Sequence, residues 1–254
     1  MSNNQRFNAE AAAWDSNPDV HRFSYGALQA LLAARADLAA AKNGGAPAAV
    51  DVLEIGCGTG ILSLRLAPYV HSILAVDAAE GMVDALRHKL SGLKDGDVGA
   101  NISPLCVLLV DPEDAALPPA PDGGGRMKFD LITSHLVLHH IADLEGLLRT
   151  MYGCLKPGGE VALTDFEDFG PEARKFHPEA KMGGVERHGV NAAWFAGLMK
   201  SAGFENVDVK AAWVMEKEVE EFPGEWEDGQ PRRDGVALET MRFPFLLCRG
   251  RKPH

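Results

Sequence analysis

Three glycines at alternate positions, Gly56, Gly58 and Gly60, follow a short apolar run that begins at Val52 and contains Glu54. Glycine has no Cβ, so it adopts positive φ angles and lets a ligand approach the backbone closely. The loop leads from a predicted strand into a predicted helix, and such a turn is the usual site for a nucleotide-like ligand in an open α/β sheet. These residues therefore predict a cofactor site.

The spacing of the glycines separates two kinds of cofactor loop. The fingerprint for hydride transfer, G-x-G-x-x-G, needs a third glycine where this chain has Ile61. Residues 54–60 instead match E-x-G-x-G-x-G, and with the apolar residues that follow they strongly resemble the first motif of the class I S-adenosylmethionine-dependent methyltransferases. In that family the glycine loop wraps around the methionine half of the cofactor.

A second apolar run, residues 72–77, ends in an acid. Asp77 lies 17 positions after Gly60, close to the roughly 20 expected for a carboxylate that accepts both ribose hydroxyls. A carboxylate suits this task because it only accepts hydrogen bonds and can take two O–H donors. The alternative is that Asp77 caps a helix over residues 79–90. The upstream glycines favour ribose binding.

A third apolar run, residues 105–111, ends at Asp111. The family often uses an acid here to accept a hydrogen bond from the adenine amino group. Asp111 precedes Pro112, and Asp-Pro also starts turns, so both interpretations stay open.

Two later segments extend the resemblance. Residues 129–140 resemble the family's fourth strand and the loop after it, and residues 155–165 resemble the entry to its fifth strand. Together the motifs cover residues 50–165 closely, and they are specific as a set.

The resemblance implies S-adenosylmethionine as cofactor and S-adenosylhomocysteine as product. It places Glu54 and the glycines at the methionine half, Ala78 beside the adenine, and the carbonyl of Ser134 at the aminoacyl group. Met82 packs on the adenine or belongs to the core, and Trp14 belongs to an N-terminal cover or to ordinary packing. The predicted cofactor-binding residues are Trp14, Glu54, Gly56, Cys57, Gly58, Gly60, Asp77, Ala78, Met82, Asp111, Pro112 and Ser134.

Methyl transfer from a sulfonium is an in-line displacement with an activated donor. The protein mainly holds the nucleophile near the methyl carbon, a gain of up to roughly 7–11 kcal/mol, and a base is needed only when the nucleophile must lose a proton. We predict His139 and His188 as catalytic, with packing of His139 and loop ordering by His188 as alternatives. The histidines could gather a metal with Glu186 or Asp165. No metal site is expected, however, because no ligand pair has the tight spacing of a known site. The predicted acceptor-binding residues are His140, Phe166 and His177.

Strands and helices alternate from residue 50 onward, which predicts a parallel sheet with helices on both faces. Loops are expected over residues 92–104 and 118–126 because they are rich in glycine and proline. The predicted strands span residues 50–55, 72–76, 105–110, 129–134 and 159–165. The predicted helices span residues 24–42, 60–68, 79–91 and 143–154.

The end of the chain predicts two more strands, over residues 204–214 and 242–249, after a helix over 192–202 that Asn191 caps. Five strands plus two agree with the family fold, a Rossmann-like α/β sheet of seven mostly parallel strands with the last antiparallel. The prediction is one methyltransferase domain over 1–254. Its parts are a helical arm or cover (1–49), a cofactor core (50–165), a lid-like substrate insert (166–190) and a C-terminal helix with an edge hairpin (191–254).

Composition excludes several classes of partner. The net charge is −11 over 254 residues, with no basic stripe, which argues against nucleic acid and against an anionic membrane surface. No apolar run reaches the roughly 18 residues that span a bilayer, and the start lacks a secretory h-region. The four cysteines form no C-x-x-C pair. We therefore expect free thiols, a cytoplasmic location and a monomer or weak homodimer.

The leading hypothesis is methyl transfer to a small-molecule acceptor at O, N, S or C, in the branch that resembles ubiquinone-biosynthesis-type enzymes. One alternative is a protein methyltransferase acting on a basic tail, supported by the acidic run 216–221, although a solvated charged face is the commoner explanation. The other is a cofactor-binding module without catalysis, against which the intact glycine loop argues.

Overall fold

The computed structural model describes residues 3–42, 45–121, 123–227, 230–231 and 239–254. The helices are α1 (Asn3–Trp14), α2 (Pro18–Ala34), α3 (Ala36–Lys42), α4 (Ile61–Leu66), α5 (Glu80–Leu90), α6 (Leu144–Cys154) and α7 (Ala192–Ser201). The strands are β1 (Ala48–Ile55), β2 (Val70–Asp77), β3 (Ile102–Cys106), β4 (Phe129–His135), β5 (Leu155–Phe166), β6 (Glu205–Val219), β7 (Trp226–Glu227), β8 (Gln230–Pro231) and β9 (Glu239–Arg251).

Seven strands form one sheet in the order β3-β2-β1-β4-β5-β9-β6. The first five are parallel, and β9 runs antiparallel to both of its neighbours. The predicted fold class is therefore confirmed. Because strand order reverses between β1 and β4, their carboxyl ends open the crevice where ligands bind in such sheets. Strands β7 and β8 form a separate two-stranded ladder.

Apolar side chains cover both faces of the sheet. One buried cluster joins the sheet to α6 and α7, and another joins it to α2, α3, α4 and α5. A third, aromatic cluster packs around Phe166 and Phe245 at the end of β5 and in β9. The carboxyl edge of the sheet thus rests on a rigid core.

The N-terminal region contains more helix than the sequence pattern predicted. The prediction of a single helix over residues 24–42 was wrong, because the backbone is extended at Arg35 (φ −124°, ψ 98°), between α2 and α3. At this break Arg35 pairs with Asp37 and lies 3.6 Å from Glu160 of β5. The polar arm also holds α1, and Asn17 caps α2 by accepting from the N–H of Asp19.

Strand β3 begins three residues earlier and ends four residues earlier than predicted. It ends at Cys106, which pairs with Asp77, the last residue of β2. Beyond this point β3 has no neighbour to pair with, so the apolar residues Leu108 and Val110 are exposed. A strand does follow a loop here, but the predicted bounds of the strand (105–110) and of the loop (92–104) were wrong.

The C-terminal elements are confirmed in kind and differ in length. Asn191 caps α7 by accepting from the N–H of Trp194. Strands β6 and β9 are both longer than predicted and pair over their whole length. The acidic run 216–221 begins within strand β6, which ends at Val219. Residues 228–229 and 232–238, further along the chain, lie outside its described part.

Residues 166–190 carry only short 3₁₀ helices after the end of β5, at Pro171–Phe176 and Glu179–Lys181. All four cysteines are free, as expected. Within the described ranges, none of the helices has both the length and the apolar character needed to cross a bilayer.

Candidate active site

The glycine loop joins β1 to α4 at the carboxyl edge of the sheet. The N–H groups of Gly56 and Cys57 donate to the carbonyl of Val76 at 2.7 and 3.0 Å, and the N–H of Gly60 donates to the carbonyl of Cys57 at 2.9 Å. The three glycines have φ angles of +75°, +53° and +80°. The left-handed backbone predicted for this loop is therefore confirmed.

The three glycines serve different purposes. A Cβ added at Gly56 would lie 2.3 Å from Val137, and one added at Gly60 would lie 2.3 Å from Leu86. A Cβ added at Gly58 would meet no atom within 4 Å. Two glycines thus permit close packing, and Gly58 borders open space where a ligand can reach the backbone. This arrangement fits the cofactor that the motif implies.

Asp77 connects the loop to the next helix. Its Oδ2 accepts from the N–H of Gly58, and its Oδ1 accepts from the N–H of Ala79, both at 2.8 Å. Burial raises the pKa of Asp77, and these N–H groups oppose the rise. The residue that precedes α5 as its cap is Ala79, so Asp77 does not occupy the N-cap position. Its contact with a ribose stays a prediction.

Glu54 lies inside β1 and is 1% exposed. Its Oε2 accepts from the hydroxyl of Ser63 in α4 at 2.5 Å. Burial raises the pKa of Glu54 to about 7, the Ser63 hydroxyl opposes the rise, and the charge of Asp77 adds to it. Glu54 thus fastens α4 to β1 behind the glycine loop. Its contact with the methionine half stays a prediction.

Helix α1 packs on the start of α5, beside the predicted adenine position. Trp14 and Phe7 meet edge to face at 6.0 Å, and both pack against the buried Ala79 and Met82. Asn8 accepts a hydrogen bond from the N–H of Gly81 at 2.8 Å. Nearby, Asn4 donates to the carbonyl of Ala78 at 3.3 Å. The cover role of Trp14 and the adenine contacts of Ala78 and Met82 stay predictions.

Asp15, just after α1, ties the cover to the glycine loop. The hydroxyl of Thr59 donates to Asp15 at 2.5 Å. Lys89 of α5 pairs with Asp15 and donates to the carbonyl of Thr59 at 2.7 Å. Thr59 and Lys89 were missed from the sequence, because only the folded chain brings α1, the loop and α5 together.

Asp111 and Pro112 form an exposed turn beyond the end of β3. Oδ1 of Asp111 accepts from the N–H of Glu113 at 2.8 Å. Pro112 packs so closely on α6 that a Cβ on Gly153 would lie 2.5 Å from it. These contacts support the turn interpretation, and an adenine contact stays a prediction.

Ser134 joins three strands near the end of β4. Its hydroxyl donates to the carbonyl of Ile55 at 2.7 Å, and its carbonyl accepts from the hydroxyl of Thr164 at 3.4 Å. Two residues later Leu136 has a φ of +57°. A left-handed leucine is strained, and such strain concentrates at functional sites. The contact of Ser134 with the cofactor stays a prediction.

Three histidines gather where β4 and β5 end. His139 and His140 lie on a 3₁₀ helix after β4, and His177 lies in the 166–190 segment. One potential ligand atom from each lies within 4.8 Å of the other two. The ring centroids of His139 and His140 are 4.0 Å apart, and those of His139 and His177 are 4.9 Å apart. We call these residues the histidine cluster.

Asp165, at the end of β5, orients His139. Nδ1 of His139 lies 2.8 and 3.0 Å from the two carboxylate oxygens, and its backbone N–H donates to Oδ2 at 3.2 Å. An ionised carboxylate only accepts hydrogen bonds, so Nδ1 is the donor to Asp165, and in the neutral ring this leaves the lone pair on Nε2. Nε2 is buried and has no hydrogen-bond partner among the described residues.

The other two histidines of the cluster are neutral. Burial, with a smaller effect of His139, lowers the pKa of His140 to about 3. Burial also lowers the pKa of His177 well below its ordinary value, and the two neighbouring histidines add to this. Nδ1 of His140 donates to the carbonyl of Gly184 at 2.8 Å, so its Nε2 also carries a lone pair.

Helix α1 and the 166–190 segment meet beside the cluster. The guanidinium of Arg6 in α1 donates to the carbonyls of Lys181 and Gly183 at 2.9 and 2.8 Å. The ring of Phe7 lies edge-on to His140 with centroids 5.2 Å apart. Helix α1 thus contacts both the 166–190 segment and the histidine cluster.

Phe166 and His188 lie in different surroundings. Phe166 is fully buried and stacks on Phe176 with centroids 4.0 Å apart, so it supports the cluster as part of the aromatic core. His188 has an exposed side chain and lies outside the cluster. The structure therefore does not bring together the two histidines predicted as catalytic, and both roles stay predictions.

Sequence reasoning named Asp165 only as a possible metal partner of the histidines, and it assigned no role to His135. His135 lies in β4, where Nδ1 is 2.9 Å from the hydroxyl of Thr164 and burial lowers its pKa to about 4. The available signal was topological: β4 and β5 are neighbours, so an acid at the end of one faces histidines after the other.

Comparison with known proteins agrees with this fold. A family model described as methyltransferase domain matches residues 21–209. A protein of Schizosaccharomyces pombe described as an uncharacterized methyltransferase is 27% identical over 70% of this chain and 62% of its own length. The ubiquinone/menaquinone biosynthesis C-methyltransferase of Vibrio campbellii is 30% identical over 61% of this chain and 64% of its own length.

Among solved structures, the complex of DhpI with SAH has a TM-score of 0.60 at 18% identity, over 98% of this chain and 95% of that one. This likeness shows the fold. The chain spans less than two thirds of the length of the two relatives described above.

The fold and the glycine loop define a class I methyltransferase, and the chain belongs to the methyltransferase domain family. The cofactor of this class is S-adenosylmethionine, as the first motif predicted.

Proposed function

We propose that this protein transfers a methyl group from S-adenosylmethionine to a small organic acceptor. The observation that carries the proposal is the position of the two halves of the site. The open space at Gly58 and the histidine cluster lie at the same edge of the sheet. When bound, the cofactor supplies a methyl group that is already activated on a sulfonium.

The residues on the cofactor side bind and shield. The glycine loop, held by Glu54 and Asp77, would contact the methionine half, and Asp77 would accept the ribose hydroxyls. Helix α1, fastened through Asp15 and Arg6, would cover the cofactor. Such a cover excludes water, which strengthens the electrostatic interactions inside the site.

The residues on the acceptor side position the nucleophile and receive its proton where it has one. His139 is the proposed base, because its Nε2 lone pair is unpartnered among the described atoms and Asp165 fixes its tautomer. A neutral imidazole suits general base catalysis near neutral pH. His140 and His177 would contact the acceptor, with Phe166 supporting them.

A cavity of about 150 Å³ borders His177. Charged side chains of both signs line it, including Arg174, Lys175, Glu179 and Glu220. A space of this size suits a small polar molecule better than a protein tail. The similarity to a C-methyltransferase of quinone biosynthesis also supports a small acceptor.

The domain division proposed is one unit with four parts: a cover (1–49), a cofactor core (50–165), an insert bordering the acceptor (166–190), and a closing helix and hairpin (191–254). The contacts of Arg6 with the insert and the ladder of β6 on β9 support it. A cytoplasmic location and a monomer or weak homodimer stay predictions.

The experiment that tests the function uses cofactor with a labelled methyl group. The protein is incubated with a small-molecule extract and, separately, with a whole-protein fraction. The expected result is label in small molecules, lost in the variant Asp77→Ala. Label in proteins alone would favour the alternative of a basic-tail methyltransferase. Binding of cofactor without labelled product in either fraction would favour a non-catalytic module.

A further inference from the structure

We propose that the histidine cluster binds one divalent transition-metal ion, with zinc as the best fit. The inference stands apart from the proposed methyl transfer, because metal binding is measurable without cofactor or acceptor. It goes against the expectation from sequence spacing, which looked for ligand pairs close together along the chain. Here His139 and His140 come from one segment and His177 from another.

The ring nitrogens of the three histidines lie close enough together to share one ion. One ligand atom from each of His139, His140 and His177 lies within 4.8 Å of the other two. Nitrogen ligands of a tetrahedral zinc ion stand roughly 3.4 Å apart, given Zn–N distances of about 2.0–2.1 Å. Ring movements of about 1 Å therefore close the set. Three imidazoles leave a fourth position open, as in catalytic zinc sites.

The hydrogen bonding of the ring nitrogens also favours a metal ion. Nε2 of His139 and Nδ1 of His177 are buried without a hydrogen-bond partner in the described part of the chain. Buried polar atoms are nearly always satisfied, so two orphans in one cluster require an explanation such as an ion. Nδ1 of His140 donates to a backbone carbonyl, which leaves its Nε2 free to coordinate.

The groups that accept hydrogen bonds from His139 and His140 also favour a metal site. The side chain of His139 is 2% exposed, and its Nδ1–H donates a hydrogen bond to Asp165. A carboxylate behind a metal-binding histidine fixes the ring and increases the basicity of the ligand. His140 has the same kind of support from a carbonyl.

The packing alternative is that the rings simply fill the aromatic core. His139 does lie edge-on to Phe166, with centroids 5.0 Å apart. Packing alone explains the rings and leaves the orphaned nitrogens unexplained. A bound metal would occupy Nε2 of His139, so the base role would then apply only to metal-free protein. Water or acceptor on the metal would lose its proton more readily instead.

The test is a calorimetric titration of the full chain with zinc chloride, after removal of metal with a chelator and with no cofactor present. We expect one equivalent to bind with a micromolar or lower Kd. Cobalt(II) at the same site should give the visible absorption of a tetrahedral ion. Absence of stoichiometric binding in folded protein would overturn the proposal.

Variants locate the site. His140→Gln and His177→Gln should each weaken zinc binding at least tenfold, and Asp165→Asn should weaken it about 10- to 100-fold. The matched control is His71→Gln, an exposed histidine that also lies beside a carboxylate; its affinity should equal that of the wild type. Melting curves in chelator show whether each variant folds. Wild-type affinity in both folded His140 and His177 variants would also overturn the proposal.

Discussion

A substitution at Gly58 should change cofactor binding much more than it changes folding. Its φ is +53°, yet an added Cβ would meet no protein atom within 4 Å. Gly58→Ala should therefore cost only the left-handed backbone penalty of about 1–2 kcal/mol. The new methyl group would project into the space assigned to the cofactor. We expect the affinity for S-adenosylhomocysteine, measured by calorimetry, to fall at least tenfold, which is about 1.4 kcal/mol.

Gly92 provides the matched control. It also has a positive φ, +87°, and open space around an added Cβ, and it lies beyond α5, outside the glycine loop. Gly92→Ala should lose similar stability and bind the ligand as the wild type does. Gly60→Ala, which would collide with Leu86 at 2.3 Å, should be far less stable than either. Equal ligand affinity in the Gly58 and Gly92 variants would refute the assignment of the open space.

Three further predictions concern the site and its cover. The pKa of Glu54 is raised from 4.5 to about 7, so protonated Glu54 stabilises the fold by about 3 kcal/mol below pH about 4.5, and this contribution is lost as pH rises through about 7. The free energy of unfolding of the wild type, measured with denaturant, should therefore fall relative to that of Glu54→Gln over this pH range. A difference between the two proteins that does not change with pH would contradict the raised pKa. With His139 as the base, Asp165→Asn should lower kcat about 10²- to 10⁴-fold and leave KM little changed. An unchanged kcat in the folded variant would exclude a catalytic role for the His139–Asp165 pair. Arg6→Gln should speed hydrogen exchange in α1, whereas Arg87→Gln, which removes an exposed pair, should not; equal exchange in the two variants would count against the fastening role of Arg6.

The glycine loop and the sheet were predictable because their signals are local. Glycines at alternate positions after an apolar run imply a left-handed turn whatever surrounds them, and the alternation of strands and helices implies a parallel sheet. The cap at Asn191 is local in the same sense. These features are confirmed by the backbone angles and the strand order.

The remaining features depend on tertiary contacts. Apolar periodicity continues across Arg35, whereas in the fold the break between α2 and α3 coincides with the contacts of Arg35 to Asp37 and to Glu160 in β5. Strand β3 ends where its neighbour β2 ends, at Asp77, although the apolar run continues. Hydrophobicity alone carries no information about the length of a partner strand.

The histidine cluster shows the same limit at the site. Its members were recognised as candidates, but their spacing along the chain argued against a shared metal, and the loop that carries His177 has no regular pattern. Nothing in the sequence indicates that this loop folds back onto His139, or that Asp165 accepts a hydrogen bond from Nδ1 of His139. Strand adjacency, read from the sheet order, is the information that connects them.

The most direct test of the central claim is a calorimetric titration of the full chain with S-adenosylhomocysteine, with a melting curve in the same ligand. We expect micromolar binding, a stabilisation of about 2.7 kcal/mol at 100-fold excess over Kd, and loss of both in Asp77→Ala. Failure of folded wild-type protein to bind or to shift its melting temperature would contradict the account of the glycine loop as a methyl-donor site.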